Sequence, residues 1–389
     1  MPHDSTHSTA NLSNWRTAPY SRWGFRNVGA ILATEAIARG GGEVWESPQA
    51  PVSFDSFCLA GPDGTLNFHE MLEITATDAM VILHDGRVVH ESYAHGNDAG
   101  SAHILMSASK SVVGLLAEML HAQQLIDLDA PLVALVPEIL GTVYGACRLR
   151  DLLDMRSGVE FDAAPQAAYE QAGGWDPLPS GAPAEGLHQF FETLEGKAAQ
   201  PGGAFRYVSA NTDLLGWALE RATGLSVATM LSEMLWQKMG AEHDALVTLD
   251  WQGAPRCTGG VCATARDFAR LGQLILDRGR RGDISIIPSA VIDGILTGGD
   301  HEAWAQGEWG GLFSFAGSSL RYRSGWYVVD GDPQMMFAMG IHGQNLFIDR
   351  VNRIVIVKFS SQAERIDFHA VLRTHFAVAE IRRCLLGGR

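Results

Sequence analysis

Ser107 and Lys110, three residues apart in the segment LMSASKSVVGLL, are the first residues of this chain whose types and spacing could do chemistry. A serine hydroxyl is a weak nucleophile until a base removes its proton. A lysine can be that base when burial or nearby positive charge lowers its pKa by several units. Because residues three apart on a helix lie on one face, about 5–6 Å from each other, a helix that begins here would bring the two side chains together.

A structural role explains the same pair: Ser107 caps the helix and Lys110 extends to solvent. Taken alone, the segment favours this role, because the S-x-x-K pattern arises often by chance. Two observations oppose it. Of the four lysines, at positions 110, 197, 238 and 358, only Lys110 follows a serine by three residues. The apolar run after Lys110 predicts a buried helix, where an unpaired lysine costs free energy.

A second candidate group lies about 100 residues further on, in FRYVSANTDLLGW. A serine–lysine pair needs a proton relay to the leaving group and an oxyanion hole. Tyr207 could relay a proton if cations lower its pKa, or it could simply pack against its neighbours. Ser209 or Asn211 would suit the N-cap of the helix that the apolar spacing predicts next.

Strands at both ends of the chain and helices between them must position these residues. Two β-rich runs flank the turn dipeptide Asp85-Gly86 and predict a hairpin over 79–93. Further helices are predicted over 107–125, 149–155, 186–194, 212–222, 226–239 and 263–277, and strands near 323–329, 335–343, 344–349 and 353–361 precede a last helix over 368–386.

We therefore expect an α+β fold: one antiparallel sheet built from both chain ends and flanked by helices, with an inserted, mostly helical lobe. The expected domains are a sheet domain of residues 1–100 and 290–389 and a helical domain of residues 101–289. We expect the active site in the cleft between them.

Composition restricts the partners of the protein. The 389 residues carry a formal net charge of −15, which repels phosphate backbones, so no nucleic acid is expected. No run of about 18 apolar residues indicates a membrane span, and the amino terminus lacks the pattern of a secretory signal. Five scattered cysteines indicate free thiols, and Cys257 and Cys262 lack the second pair that a zinc site needs. We expect a cytoplasmic protein without cofactor or metal, and a homodimer stays open.

The order of these motifs along the chain carries a family resemblance. Ser107-Ala-Ser-Lys110 is followed by Tyr207-x-Ser209, then by Gly259-Gly260 and a glycine-bearing strand near 340. This order resembles the serine β-lactamase or penicillin-recognising superfamily, in its class C-like and D-alanyl-D-alanine-peptidase-like branch. Within it, stretches from about 22 to about 361 are similar to the nylon-oligomer (6-aminohexanoate-dimer) hydrolases and the β-lactamase-like carboxylesterases.

The resemblance implies both a β-lactamase/D,D-peptidase-like fold and roles for individual residues. Ser107 would be acylated, Lys110 would take its proton, and Tyr207 would share the base role and protonate the leaving group. The backbone N–H groups of Ser107 and Ile341 would form the oxyanion hole.

Two departures from the superfamily pattern argue against a β-lactam or a peptidoglycan as the substrate. Ala338 and Met339 stand where those enzymes usually carry Lys or His and then Thr or Ser, and Ser209 stands where β-lactamases often carry Asn. His342 is a further candidate, although strand alternation would point it away from the face of Ile341.

Four residues are candidates for substrate binding. Glu170, with Tyr169 beside it, could hold a substrate amine, as an acidic residue does in the nylon-oligomer amidases. Ser209, Thr258 and His369 could line the pocket.

The predicted function is a serine hydrolase that acts through an acyl-enzyme on small linear amides and short-chain esters, including 6-aminohexanoate oligomers. The alternatives are a β-lactamase or D-alanyl-D-alanine peptidase, and a non-catalytic ligand-binding or sensor protein of the same fold.

Overall fold

A seven-stranded antiparallel sheet lies at the centre of the fold, in the order β13-β14-β15-β16-β17-β4-β5. The computed structural model describes residues 9–61, 64–313, 320–331 and 334–387. Its helices are α1 (Ser21–Gly24), α2 (Phe68–Ile74), α3 (Ser109–Ala122), α4 (Leu149–Leu153), α5 (Ala163–Ala172), α6 (Leu187–Thr193), α7 (Ala210–Thr223), α8 (Val227–Leu231), α9 (Gln237–Met239), α10 (Ala265–Leu276), α11 (Ser289–Thr297), α12 (His301–Ala305) and α13 (Phe368–Leu385). Its strands are β1 (Thr34–Ile37), β2 (Leu59–Gly61), β3 (Gly64–Leu66), β4 (Thr77–His84), β5 (Arg87–Tyr93), β6 (His103–Ile104), β7 (Val159–Glu160), β8 (Lys197–Ala198), β9 (Ala245–Thr248), β10 (Val261–Ala263), β11 (Arg280–Arg281), β12 (Ile284–Ser285), β13 (Leu320–Arg323), β14 (Trp326–Val329), β15 (Met335–Gly340), β16 (Gln344–Asp349) and β17 (Ile354–Ser360).

The central sheet joins the two ends of the chain, as the sequence predicts. β4 pairs with β17, so that Val81 lies opposite Val357. The hairpin β4–β5 turns at Asp85 and Gly86, whose φ angles are 50° and 74°. These positive values are the conformation that an Asp-Gly turn tolerates.

Both faces of the sheet are covered, which explains the apolar run over 354–357 in β17. Val355 and Val357 belong to one buried cluster together with residues of α3 and α10. Ile354 and Ile356 belong to a second cluster together with residues of α13. Because alternate residues point to opposite faces, a strand between two layers of helices must be apolar at nearly every position.

The sequence did not predict a second, four-stranded sheet in the order β1-β9-β10-β6. Its strands have two to four residues, too few to show an alternating pattern. The predicted helix over 226–239 is interrupted, because a π-helical segment, Ser232–Trp236, joins α8 to α9. The division into domains at residues 100 and 290 stays a prediction.

Helix α3 is fixed closely against the hairpin β13–β14. A methyl group at Gly114 would lie 1.9 Å from the carbonyl oxygen of Ser324, so only glycine permits this approach. The Ser111 hydroxyl donates a hydrogen bond to the Gly325 carbonyl at 2.6 Å. The sheet therefore sets the position of the helix that carries Lys110.

No helix in the described part of the chain is both long and apolar enough to span a membrane.

Candidate active site

Ser107 lies in a short 3₁₀ turn, Met106–Ala108, that leads into α3. Met106 has a φ of 47°, a left-handed conformation that a non-glycine residue adopts at a cost of about 1–3 kcal/mol. No side chain caps α3, and the Ser109 hydroxyl accepts a hydrogen bond from the Val261 amide instead. The structure therefore assigns no capping role to Ser107, whose side chain is half-buried.

Lys110 is buried, with 2% of its surface exposed, and does not reach solvent. Its Nζ donates hydrogen bonds to Ser107 Oγ at 3.0 Å and to the Thr258 carbonyl at 2.7 Å. The amine also lies 5.0 Å from the centre of the Tyr207 ring. Burial lowers the pKa of Lys110 to about 7; the Asp213 carboxylate opposes this shift and the Arg256 guanidinium adds to it. The amine can therefore be neutral near neutral pH.

Tyr207 lies just before α7 and borders the same space as Ser107. Its backbone N–H donates to the Glu308 carboxylate at 2.7 Å, and its ring stacks on Trp309 with centres 4.3 Å apart. Burial raises the pKa of Tyr207, and a hydrogen bond with Ser107 opposes the shift only in part. The expected lowering by cations is not found, so the phenol keeps its proton and is suited to donate it.

A buried cluster behind Lys110, which the sequence analysis missed, binds the backbone amide of Thr258, the residue whose carbonyl group Lys110 contacts. Asp213 accepts hydrogen bonds from the Tyr169 hydroxyl at 2.6 Å and from the Thr258 amide at 2.8 Å. Arg256 Nε lies 3.5 Å from the same carboxylate. Asp213 lies within the segment FRYVSANTDLLGW, but only the fold brings it to Arg256 and Tyr169.

Gly340 allows the end of β15 to lie directly against the nucleophile loop. A methyl group there would lie 2.5 Å from the Leu105 carbonyl oxygen and 3.0 Å from the Ser107 amide nitrogen. The next residue, Ile341, borders the same space as Ser107. The two amide groups proposed for the oxyanion hole therefore belong to adjoining segments at the site.

Strand alternation does not apply at His342, because the chain leaves β15 at Gly340 and enters a 3₁₀ turn, Ile341–Gly343, but His342 borders neither space that Ile341 lines. His342 has a φ of 61° and is buried, and its Nδ1 donates to the Gln362 carbonyl at 2.7 Å. Burial lowers its pKa to about 4. The contacts describe a structural, neutral histidine.

Two chambers of unequal size meet at Ser107. The polar chamber encloses about 80 Å³, and its lining includes Arg16, Tyr169, Glu170, Asp176 and Thr258. The apolar chamber encloses about 590 Å³, and its walls include Trp309, Leu312, Phe313, Tyr327, Met339 and Val371. Ser107, Ser209, Ile341 and Arg365 border both chambers.

The structure brings three of the four predicted binding residues to these chambers. Glu170 lines the polar chamber, where its carboxylate accepts from Gln166 at 2.9 Å and lies 4.0 Å from Arg365. Thr258 lines the same chamber, and its backbone carbonyl rather than its hydroxyl contacts Lys110. Ser209 borders both chambers, but it does not cap α7.

His369 is exposed on α13 and does not line either chamber, so the structure does not bring it into the site. Asn211 also differs from its predicted capping role, since its side-chain oxygen accepts from the Tyr144 hydroxyl at 2.8 Å. Over the ranges that the structure describes, no group of three or more His, Cys, Asp or Glu side chains is arranged to hold a metal ion.

Known proteins resemble this chain in sequence and in architecture. Residues 70–379 match the family model described as β-lactamase. The chain is 34% identical over 360 residues to the 6-aminohexanoate-dimer hydrolase of Paenarthrobacter ureafaciens, covering 90% of this chain and 88% of that protein. A structure described as a 6-aminohexanoate-dimer hydrolase from Bacillus anthracis superposes with a TM-score of 0.87 at 25% identity over 98% of both chains. D-alanine carboxypeptidase AmpC from Burkholderia cenocepacia shares the fold, with a TM-score of 0.54 at 15% identity over 79% of this chain and 95% of that one.

Proposed function

The chain belongs to the β-lactamase family and is a serine hydrolase, and from this premise we propose that Ser107 attacks the substrate carbonyl and carries the acyl group. The observation that supports Ser107 most directly is its contact with Lys110, a buried amine whose pKa is about 7. Acylation forms the bond from Ser107 Oγ to the carbonyl carbon and breaks the bond to the leaving group.

Lys110 is the proposed base. In its neutral form it takes the Ser107 proton, and the hydrogen bond from Nζ to the Thr258 carbonyl keeps the amine directed at the hydroxyl. Asp213 supports this geometry indirectly, because it holds the Thr258 amide.

Tyr207 is the proposed proton donor to the leaving group. Its pKa is raised by burial, so it is protonated when the bond to the leaving group breaks. Lys110, which lies over the Tyr207 ring, can then return a proton to the phenolate. Water reverses the sequence in the second step: it loses a proton to the same groups and releases the acid from Ser107.

The amide groups of Ser107 and Ile341 are proposed to bind the oxyanion of each tetrahedral intermediate. One such donor is worth about 10²–10³-fold in kcat in serine hydrolases. The close approach of Gly340 to the Ser107 amide supports this assignment.

The proposed substrates are small linear amides and short-chain esters, including 6-aminohexanoate oligomers. The name of the Paenarthrobacter relative supports the oligomers, and Glu170 in the polar chamber is the proposed partner of a substrate amine. Ala338 is buried and Met339 lines the apolar chamber, so neither supplies a cation for the carboxylate of a β-lactam. We propose a cytoplasmic site of action, which five free cysteines support; a homodimer stays a prediction.

A substrate panel tests this function. Wild-type protein and Ser107→Ala are compared on 4-nitrophenyl acetate, 6-aminohexanoate dimer and nitrocefin, together with labelling by a fluorophosphonate probe. We expect Ser107-dependent hydrolysis of the ester and the linear amide and one label per chain. Stoichiometric labelling of Ser107→Ala would refute the role of Ser107, and rapid turnover of nitrocefin alone would favour a β-lactamase.

A further inference from the structure

The two chambers at Ser107 differ in size and in the groups that face them. The apolar chamber, of about 590 Å³, is roughly four times as large as the ~150 Å³ cavity that holds a benzene molecule in an engineered protein core. The polar chamber, of about 80 Å³, is roughly half as large as that cavity. The two halves of a substrate bonded at Ser107 therefore enter very different surroundings.

The position of Tyr207 decides which half enters which chamber. Tyr207 lines the apolar chamber, whereas Thr258, Tyr169 and Glu170 line the polar one. A carbonyl group whose oxygen lies between the amides of Ser107 and Ile341 has one substituent on each side. The substituent that departs must receive a proton, so it has to lie on the side of Tyr207.

The walls of the apolar chamber define the chemistry of this departing group. Trp309, Phe313 and Tyr327 form a stacked series beside Tyr207, with 4.3 Å between the centres of the Tyr207 and Trp309 rings. Val371 and Met339 add aliphatic side chains to this wall, and Glu364, Arg365 and Asp367 also line the chamber. Such walls bind a flat or bulky apolar group, and each methylene-sized group buried there contributes about four-fold to binding.

Two arginines beside the polar chamber form ion pairs within the protein, whereas the side chains of Arg365 and Glu170 are exposed to solvent. Arg16 contacts Asp176 at 2.5 Å, Arg256 lies 3.5 Å from Asp213, and Arg365 lies 4.0 Å from Glu170. The small space on this side therefore suits a slim, unbranched acyl group that can extend past Glu170.

We propose that this enzyme selects among the esters and amides of its proposed function by the leaving group, and favours those that release a bulky apolar or aromatic alcohol or amine from a slim acyl group. This inference rests on the proposed function, because it assumes that acylation takes place at Ser107. It adds the class of substrate that this site favours.

Two isomeric esters test the proposal with equal apolar surface. 1-Naphthylmethyl acetate carries the naphthyl group on the leaving alcohol, and methyl 1-naphthylacetate carries it on the acyl group. We expect kcat/KM of the wild-type enzyme to be at least ten-fold higher for the acetate. An equal or reversed preference, with hydrolysis that depends on Ser107, would overturn this inference and leave the proposed function standing. A lack of Ser107-dependent hydrolysis of both isomers would overturn both.

A variant in the chamber wall checks that the preference arises there. Val371→Trp fills part of the apolar chamber and should lower the ratio of kcat/KM for the two isomers about ten-fold. Phe376→Trp on the same helix is the matched control, because Phe376 is 53% exposed and does not line the chamber. An unchanged ratio in a folded Val371→Trp protein would show that the group binds elsewhere, and the comparison of isomers on the wild-type enzyme does not depend on this variant.

Discussion

The dependence of acylation on pH tests the role of Lys110 directly. With a pKa of about 7, the amine is about half neutral at pH 7. Below pH 7, its neutral fraction falls about ten-fold for each unit by which the pH is lowered. At the ordinary value of 10.5, about one amine in three thousand would be neutral at the same pH. The difference between the two values corresponds to about 5 kcal/mol, supplied mainly by burial. We expect kcat/KM for 4-nitrophenyl acetate to rise with a slope of one up to about pH 7 and then to level.

Two variants of Tyr207 separate the shielding ring from the reactive hydroxyl. Tyr207→Phe keeps the ring 5.0 Å from Lys110 Nζ. The acid limb of the pH profile, over which kcat/KM rises with pH, should therefore still end near pH 7. Tyr207→Ala opens the amine to water in the apolar chamber, so the pKa of Lys110 should rise and the limb should move to higher pH. With 4-nitrophenyl acetate, whose leaving group needs little help from a proton donor, Tyr207→Phe should lose less activity than with an anilide.

The assay is the burst and steady-state release of nitrophenolate between pH 5 and 10 under constant ionic strength. Circular dichroism of each variant over the same range serves as the control for folding. The reasoning is refuted if the limb disappears in Tyr207→Phe, because the titrating group would then be the tyrosine. It is equally refuted if Tyr207→Ala leaves the limb near pH 7, because burial by the ring would then not set the pKa of Lys110.

Three further predictions follow from individual contacts. Gly340→Ala places a methyl group 2.5 Å from the Leu105 carbonyl oxygen and should lower kcat about 10²–10³-fold by displacing the Ile341 amide, whereas Gly141→Ala, with no atom within 4 Å, should match the wild type. Burial lowers the pKa of Lys358 from 10.5 to about 7, so the unfolded state binds more protons between these values and stability rises with pH by about 1.4 kcal/mol per unit for this group. Lys358→Met should remove this rise of stability with pH, measured by urea titrations at pH 7 to 10. An unchanged dependence on pH would contradict the lowered pKa of Lys358. With 4-nitrophenyl acetate as the acyl donor, added 1-naphthylmethylamine should compete with water for the acetyl group on Ser107 and give an N-acetyl product, measured by chromatography. An equal yield of N-acetyl product with ethanolamine would contradict binding of the acceptor amine in the apolar chamber.

The local part of the site was predictable from the sequence because it depends on short spacing. Ser107 and Lys110 are one helical turn apart, and the scarcity of lysine together with the apolar run after Lys110 indicated burial. The structure confirms that burial, with 2% of Lys110 exposed. The hairpin around Asp85 was predictable for the same reason, since a dipeptide determines its turn.

The environment of the pair could not be predicted, because distant segments supply it. Asp213, Arg256 and Tyr169 meet only in the folded chain, and the group of Thr258 that contacts Lys110 is a backbone carbonyl, which every residue type carries. Strand alternation was the wrong basis for the expectation about His342, because alternation holds only while the strand continues, and the chain turns after Gly340.

The directions of the two pKa shifts give Lys110 and Tyr207 different chemical roles. Burial acts on both Lys110 and Tyr207, but it favours the uncharged form of each: it lowers the pKa of the amine and raises that of the phenol. One environment thus produces a base and a neutral acid in contact with the same hydroxyl, without a nearby cation having to activate the tyrosine. A substrate that fills the apolar chamber removes water from both groups and should strengthen both shifts. Binding of a bulky leaving group and activation of the Ser107–Lys110 pair are therefore expected to increase together.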